Sequence, residues 1–227
     1  MRQTLALFTL FVAVSAGAQQ FRLGPRYSNY STDVSVTRDA FDTSRQSAFG
    51  VVGDYRNGAF VLDFLADHDP ENGISISDIL PFVERYERTR GEVTVGYSLS
   101  LFDLQAGARF DSISIGSDAI PRGDFFGTSD VTHQAIVAGI RVHTPASQKV
   151  GFYALGRGYV GSFDFDGSNS NSDSTGWRAE AGLTFPIGES AWSVEPGFEY
   201  EDLRSQNDRL ELKTNRFFVN FIYAFGK

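Results

Sequence analysis

The sequence predicts an all-β chain: a closed antiparallel transmembrane β-barrel of about ten strands, with eight as the alternative count. Three observations predict it. Apolar residues recur at every second position through one segment after another, the period of a strand and not of a helix. The connections alternate short and long, with turns near 57, 102, 146 and 188 and loops near 40, 78, 123, 170 and 207. Nearly every mid-segment charge falls opposite the large apolar residues, so one face of the sheet is apolar and the other carries Arg, Asp and Glu. Membrane barrels combine these features, with lipid outside, a polar interior, and short turns at one end and longer loops at the other. Closure follows from hydrogen bonding. Lipid offers no partner to an unpaired N–H or C=O, so a sheet survives there only without edges.

The chain has 227 residues and a formal net charge of -8. Arg2, the apolar run Leu5–Val14 and the small residues Ser15-Ala16-Gly17-Ala18 have the layout of a secretory signal peptide. The run falls short of the about 20 residues of a membrane-spanning helix. Residues 1–18 are therefore expected to be cleaved, leaving one barrel domain, 19–227, with 19 basic and 28 acidic residues and a net charge of -9. The absence of cysteine excludes disulfides and thiolate metal sites. An acidic chain with 3 histidines is a poor partner for nucleic acid, which demands clustered Lys and Arg. Phe 21 and Tyr 9 against Met 1 is a strand-former's composition, and the glycines are spread along the chain without marking a linker.

Taken in order, Phe21, Leu23, Pro25 and Tyr27 alternate with polar residues as a first strand, Pro25 being tolerable at an edge or bulge. A polar loop near 35–46 precedes the second strand, where Phe49, Val51, Gly53 and Tyr55 oppose Asp54. Asn57-Gly58 is a hairpin signal, both positions favouring positive φ. Phe60, Leu62, Phe64 and Ala66 then oppose Asp63 and Asp67. The connection at 68–88 is less polar than the others, with Ile74, Ile76, Ile79, Leu80, Phe82 and Val83, and is read either as a contact loop or as strand extensions above the membrane. The fourth strand (Val93 to Leu101), the fifth (Leu104 to Phe110) and the sixth (Ile136 to Val142) follow, separated by a tight turn near Phe102-Asp103 and a Gly/Asp/Ser-rich loop at 116–130. The seventh sets Phe152, Ala154 and Val160 against Tyr153, Arg157 and Tyr159. After a low-complexity polar loop, 166–175, the eighth (Trp177 to Phe185) and ninth (Trp192 to Tyr200) lead through a charged loop near 203–211 to the last strand.

That strand, Arg216–Phe225, puts Phe217, Val219, Phe221, Tyr223 and Phe225 on one face. An amphipathic strand ending in Tyr-x-Phe near the terminus resembles the C-terminal assembly signal of bacterial outer-membrane β-barrels, with Phe221, Tyr223 and Phe225 as its residues; here Gly226 and Lys227 follow it. Across the mature chain the sequence resembles small bacterial outer-membrane β-barrel proteins, the outer membrane protein beta-barrel family. The resemblance implies residence in the cell outer membrane with both chain ends on the periplasmic side. It also implies contact with outer-membrane lipid and lipopolysaccharide, delivery by periplasmic chaperones and the outer-membrane assembly machinery, and a monomer. Trp177 and Trp192, at opposite strand ends, are expected one at each membrane interface, where aromatic girdles belong.

The face opposite the aromatics collects Asp63, Glu92, Arg109, Arg141, Arg157, Arg178, Glu180, Glu195 and Glu199. A salt-bridge network filling a narrow barrel is the preferred reading over an ion path, because buried charges need partners. Asp67-His68-Asp69 at the outer end of the third strand, and Asp130 with His133 at the outer end of the sixth, are the candidates for acid–base chemistry. Ten-stranded omptin proteases resemble this in pairing acids one residue apart on a rim loop, here Asp67 and Asp69. Their Asp-x-His pair has no match, since the end of the seventh strand reads Asp164-Phe-Asp166. No Gly-x-Ser-x-Gly or adjacent His-x-Ser points to a serine enzyme. Asp164, Asp166, Asn169 and Asp173 offer oxygens to calcium but in no EF-hand spacing, and a polar loop tip is preferred. No metal or cofactor is expected. The expectation is a non-enzymatic structural or surface-interaction barrel, with a narrow pore as a further capacity. The alternatives are a rim-active hydrolase, or a soluble periplasmic carrier whose apolar faces line a cavity.

Overall fold

The computed structural model describes residues 20–36, 39–42, 46–75, 83–117, 129–144, 150–165, 171–206 and 210–226. The expected signal segment lies outside them, as do most of the long connections. The strands are β1 (Gln20–Val36), β2 (Asp39–Asp42), β3 (Gln46–Asn57), β4 (Phe60–Ser75), β5 (Val83–Ser98), β6 (Phe102–Ser117), β7 (Ser129–His143), β8 (Gly151–Phe165), β9 (Asn171–Pro186), β10 (Trp192–Ser205) and β11 (Leu210–Phe225). All pairings are antiparallel between neighbours, and β11 returns to pair with β1 from Phe21↔Phe225 to Val36↔Leu210. Ten strands close the barrel; β2 continues the column of β3 along the upper part of β1, pairing Asp33↔Asp42 to Val36↔Asp39.

The barrel is taller than the sequence reading. Strands of about 9–11 residues suffice to cross the hydrocarbon core, yet β1 has 17 residues and β11 has 16. The outward belt on β11, Phe217 to Phe225, spans about 20 Å at a rise of about 3.3 Å and a tilt of about 40°. The remainder stands above it at the end away from Gln20 and Phe225. Part of the 68–88 connection is therefore ladder, β4 running to Ser75 and β5 starting at Val83, with a register shift between Asp69 and Asn72. Its residues 76–82 lie outside the described residues. The supposed polar loop 166–175 likewise gives Asn171–Thr175 to β9, and the loop near 203–211 gives Leu203–Ser205 to β10 and Leu210–Glu211 to β11.

Turn chemistry differs in detail. Asn57 still pairs with Phe60, so the turn is Gly58-Ala59 and only Gly58 takes a positive φ, 58°. The next tight turn is Leu99–Leu101, earlier than read, around Ser100 at φ 68°. Pro25 does not sit at an edge, because the barrel has none there. It pairs with Val51 on β3, while Gly24 and Pro25 are skipped in the β1–β11 ladder. Pro196 occupies a similar interruption between β9 and β10, which is where a residue without an N–H costs no ladder bond.

Outside, the belt is apolar: Phe49, Tyr97, Ile136, Ile140, Val160, Phe217 and Phe221 are among its exposed residues. That placement overturns the soluble-carrier alternative, in which these faces would line a cavity. Inside lie the charges.

Candidate functional site: the filled lumen

Inward positions are fixed by strand parity, so each ladder partner of an inward residue also points inward. Parity puts like charges side by side: Glu180 opposite Glu199, and Arg157 opposite Arg178. Long guanidinium side chains crossing the lumen resolve both clashes. Arg26 reaches Glu199 at 3.0 Å and Glu180 at 3.7 Å. Glu92 binds Arg157 and, at 3.0 Å, Arg178, and takes a hydrogen bond from the Tyr159 hydroxyl at 3.1 Å.

From the turn end upward the remaining ion pairs form two groups, a small one at the turns and a larger one above it. Arg56 bridges Asp103 at 2.8 Å and Asp54 at 3.3 Å, and Arg22 joins Asp54 to Glu195. Asp63 faces Arg141 at 3.4 Å and Arg157 at 3.3 Å and accepts from Gln105. Higher up, Arg90 binds Asp67, Glu199 at 2.8 Å and Glu201 at 3.4 Å. Arg88 and Arg109 both bind Glu201 at 2.6 Å, and both bind Asp111. Rings cap several guanidiniums, Phe218 lying 3.8 Å from Arg26 and Tyr159 4.4 Å from Arg109. Burial on this scale is tolerable only because almost every charge has opposite partners on other strands.

Above this layer the interior changes character. Tyr30, Val34, Ala48, Tyr86, Ile113, Val131, Phe163, Leu203, Leu210 and Leu212 form a buried apolar core contributed by eight strands. Outside the same level the surface is polar, with Arg204 2.7 Å from Asp202 and Lys213 2.9 Å from Glu211. Hydrogen bonds to those carboxylates raise the pKa of both exposed cations.

All nine residues of the expected lumen set point inward here. The set omitted Arg22, Arg26, Asp54, Arg56, Arg88, Arg90, Asp103, Asp111, Glu201 and Arg216, most of which lie beyond the strand limits read from sequence or near strand ends. Asp67 and Asp69 are not on a rim. They are the eighth and tenth residues of β4, buried, and held by Arg90 and Arg216, the latter at 2.8 Å and 3.4 Å. His68 between them faces outward and bonds Thr89 at 3.0 Å. Asp130 also faces outward and accepts from Ser114. His133 faces inward, fully buried. Its Nδ1 is 2.9 Å from Asp111 and its Nε2 is 3.0 Å from the Ser174 hydroxyl. No local serine–histidine motif marks this pair, which lies 41 positions apart in sequence; the contact arises because inward parity brings β6, β7 and β9 to one level. Acid, imidazole and hydroxyl stand in the order of a nucleophilic triad. Ser174 is 1% exposed, however, and neither the inner cavity nor the turn-end recess described below is lined by it or by His133. Of the calcium candidates, Asp164 and Asp173 lie on β8 and β9, and Asp166 and Asn169 lie outside the described residues. Among the described residues no three acids or histidines are grouped to hold a metal.

Trp177 and Trp192 both face outward, 48% and 45% exposed. Trp192 starts β10 against Tyr223; Trp177 is not at a strand end, because β9 begins at Asn171, and it packs on Tyr200 at 5.0 Å. Phe225 closes the last strand, its ring 5.6 Å from that of Phe21 across the β1–β11 seam.

No family model matches the chain. No curated protein matches it. Solved structures do. The outer membrane protease OmpT from Escherichia coli aligns at 8% identity and TM-score 0.58, over 92% of this chain and 97% of that one. The translocator domain of the autotransporter NalP from Neisseria meningitidis aligns at 12% identity and TM-score 0.50, over 99% and 95%. The chain has the fold of the outer-membrane β-barrels. At such identities the likeness concerns fold alone. The barrel's own chemistry fits an outer membrane: an apolar belt outside, charges inside, and short turns at the end that carries Gln20 and Phe225.

Proposed function

We propose that this outer-membrane barrel is a non-enzymatic structural and surface-interaction protein whose lumen is closed to solutes. The observation that carries the reading is the double filling of the interior, an ion-pair layer through the membrane and an apolar core above it. The spaces left are small. An inner cavity of about 70 Å³ lies between Arg26, Asp63, Arg157 and Glu180, and a recess of about 300 Å³ opens at the turn end. Function is then carried by what the tall outer strands present to the cell exterior. On the same reading the belt meets outer-membrane lipid and lipopolysaccharide, Phe221, Tyr223 and Phe225 are read during assembly, and the barrel works as a monomer. Asp67 and Asp69 act as ion-pair partners, not as a protease dyad.

The test is planar-bilayer recording on refolded protein whose compact form is verified by a heat-dependent gel shift. The wild type is expected to add no stepwise current. Reproducible single-channel steps from gel-verified protein would overturn the closed reading and favour the narrow pore.

A further inference from the structure

The recess at the turn end differs in kind from the rest of the interior. Its cationic lining consists of Arg22, Arg56 and Arg141, beside the imidazole of His143, with no carboxylate. The inner cavity, one layer up, is lined by both signs, including Asp54, Asp63, Glu180 and Glu195. The carboxylates that balance the recess stand behind its cations. Side chains of Asp54, Asp63, Asp103 and Glu195 are 9%, 10%, 0% and 5% exposed, whereas those of Arg22, Arg56, Arg141 and His143 are 18%, 21%, 14% and 20% exposed. The recess therefore presents hydrogen-bond donors to whatever enters from the turns.

Arg141 is the least committed of these donors. Among the described residues its guanidinium has one ion pair, with Asp63 at 3.4 Å, and its buried Nε has no partner. Arg157, by comparison, engages Glu92, Asp63, Thr94 and Gln105. Arg141 lines both cavities and packs over Tyr153, at 5.0 Å, so it stands at the wall between them. A planar guanidinium with free N–H groups matches carboxylate and phosphate oxygens in bidentate geometry. We propose that the recess is a binding site for a compact oxyanion, a carboxylate or phosphate group, with Arg141 as the principal ligand and Arg22, Arg56 and His143 as flanking contacts.

Isothermal titration calorimetry supplies the readout. The refolded barrel in a non-ionic detergent is titrated with inorganic phosphate, with acetate and with a short-chain phosphatidylglycerol. A saturable change with a free anion supports the site and assigns a soluble ligand; saturation by the phospholipid alone supports it and assigns a lipid headgroup. The affinity is expected to fall at least about tenfold in Arg141→Gln, the loss of a charged hydrogen-bonding partner, and to be unchanged in Arg204→Gln on the outer surface. If Arg141→Gln lacks the compact gel form, His143→Gln carries the test with a smaller loss. No saturation with any of the three probes overturns the proposal. So does saturation that Arg141→Gln and His143→Gln both leave unchanged.

Discussion

The membrane-spanning part of this barrel and the part above it are built from the same strands with opposite chemistry. Along β11, Arg216 and Asn220 point inward and Phe217 and Phe221 outward. A few residues earlier Leu210 and Leu212 are the buried, inward residues, and Glu211 and Lys213 lie on the other face. β10 changes in the same way, with inward Glu199 and Glu201 giving way to Leu203, and outward Phe198 giving way to Arg204. The backbone does nothing at the crossing; the solvent outside changes from lipid to water. Where the exterior is lipid, apolar groups gain nothing by going inside and the lumen takes the charges. Where it is water, the hydrophobic effect fills the interior as in a soluble β-sheet protein.

Removing one member of each layer separates the two modes. Glu199 is fully buried and lies within 4.0 Å of Arg26, Arg90, Arg178 and Arg216. Glu199→Ala leaves those cations sharing fewer counter-charges, and a loss of about 3–5 kcal/mol is expected in urea unfolding from lipid vesicles. A loss below about 1 kcal/mol would mean that the lumen is wet enough to solvate its arginines.

Leu203, fully buried in the apolar core, tests the other layer. Leu203→Ala is expected to cost about 2–4 kcal/mol through lost burial and a residual cavity. Unlike Glu199→Ala, this loss should be insensitive to salt. If both variants respond alike to ionic strength, the two layers are not distinct.

The inversion also explains what the sequence made legible. Within the belt, period two with one apolar phase is unmistakable, and it located ten strands and the inward faces of Asp63, Glu92, Arg157 and Glu199. At the level of Leu203, Ile113 or Phe163 the phase reverses, so a reader following one face sees the pattern stop and ends the strand. That is why Asp67, Asp69 and His133 read as rim residues and lie mid-strand, and why Ser172 and Ser174 read as loop. The ladders run on past the reversal, Leu212 pairing with Val34 and Leu210 with Val36, and these are the strand residues that one apolar phase does not mark. The contacts that cross the lumen were not legible by any local pattern. Arg26 meets Glu199 across 173 positions of sequence.

A third comparison holds the strand constant and varies depth on its outer face. Ile140 lies in the belt, 50% exposed, and Thr132 lies on the same face of β7 above it. Ile140→Arg is expected to cost about 2–4 kcal/mol in the same vesicle assay, and Thr132→Arg about 0–1 kcal/mol. Equal costs would place the membrane boundary elsewhere on the barrel.

The smallest expected effect concerns a hydrogen-bonded group at the border of the two layers that has the form of a reactive site. Asp111 is already neutralised by Arg88 and Arg109, His133 stacks on Phe163 at 4.7 Å, and the Ser174 hydroxyl is buried. A hydroxyl there satisfies an imidazole nitrogen that would otherwise be buried without a partner. Ser174→Ala should therefore cost about 1 kcal/mol and change nothing else. Mass spectrometry after exposure to a fluorophosphonate probe should find Ser174 unmodified in the wild-type barrel in both detergent and vesicles. Stoichiometric labelling at that position, abolished by His133→Gln in a barrel that still shows the compact gel form, would mean that the apolar core opens to admit substrate. The upper layer would then be a gate over a nucleophile and not a plug.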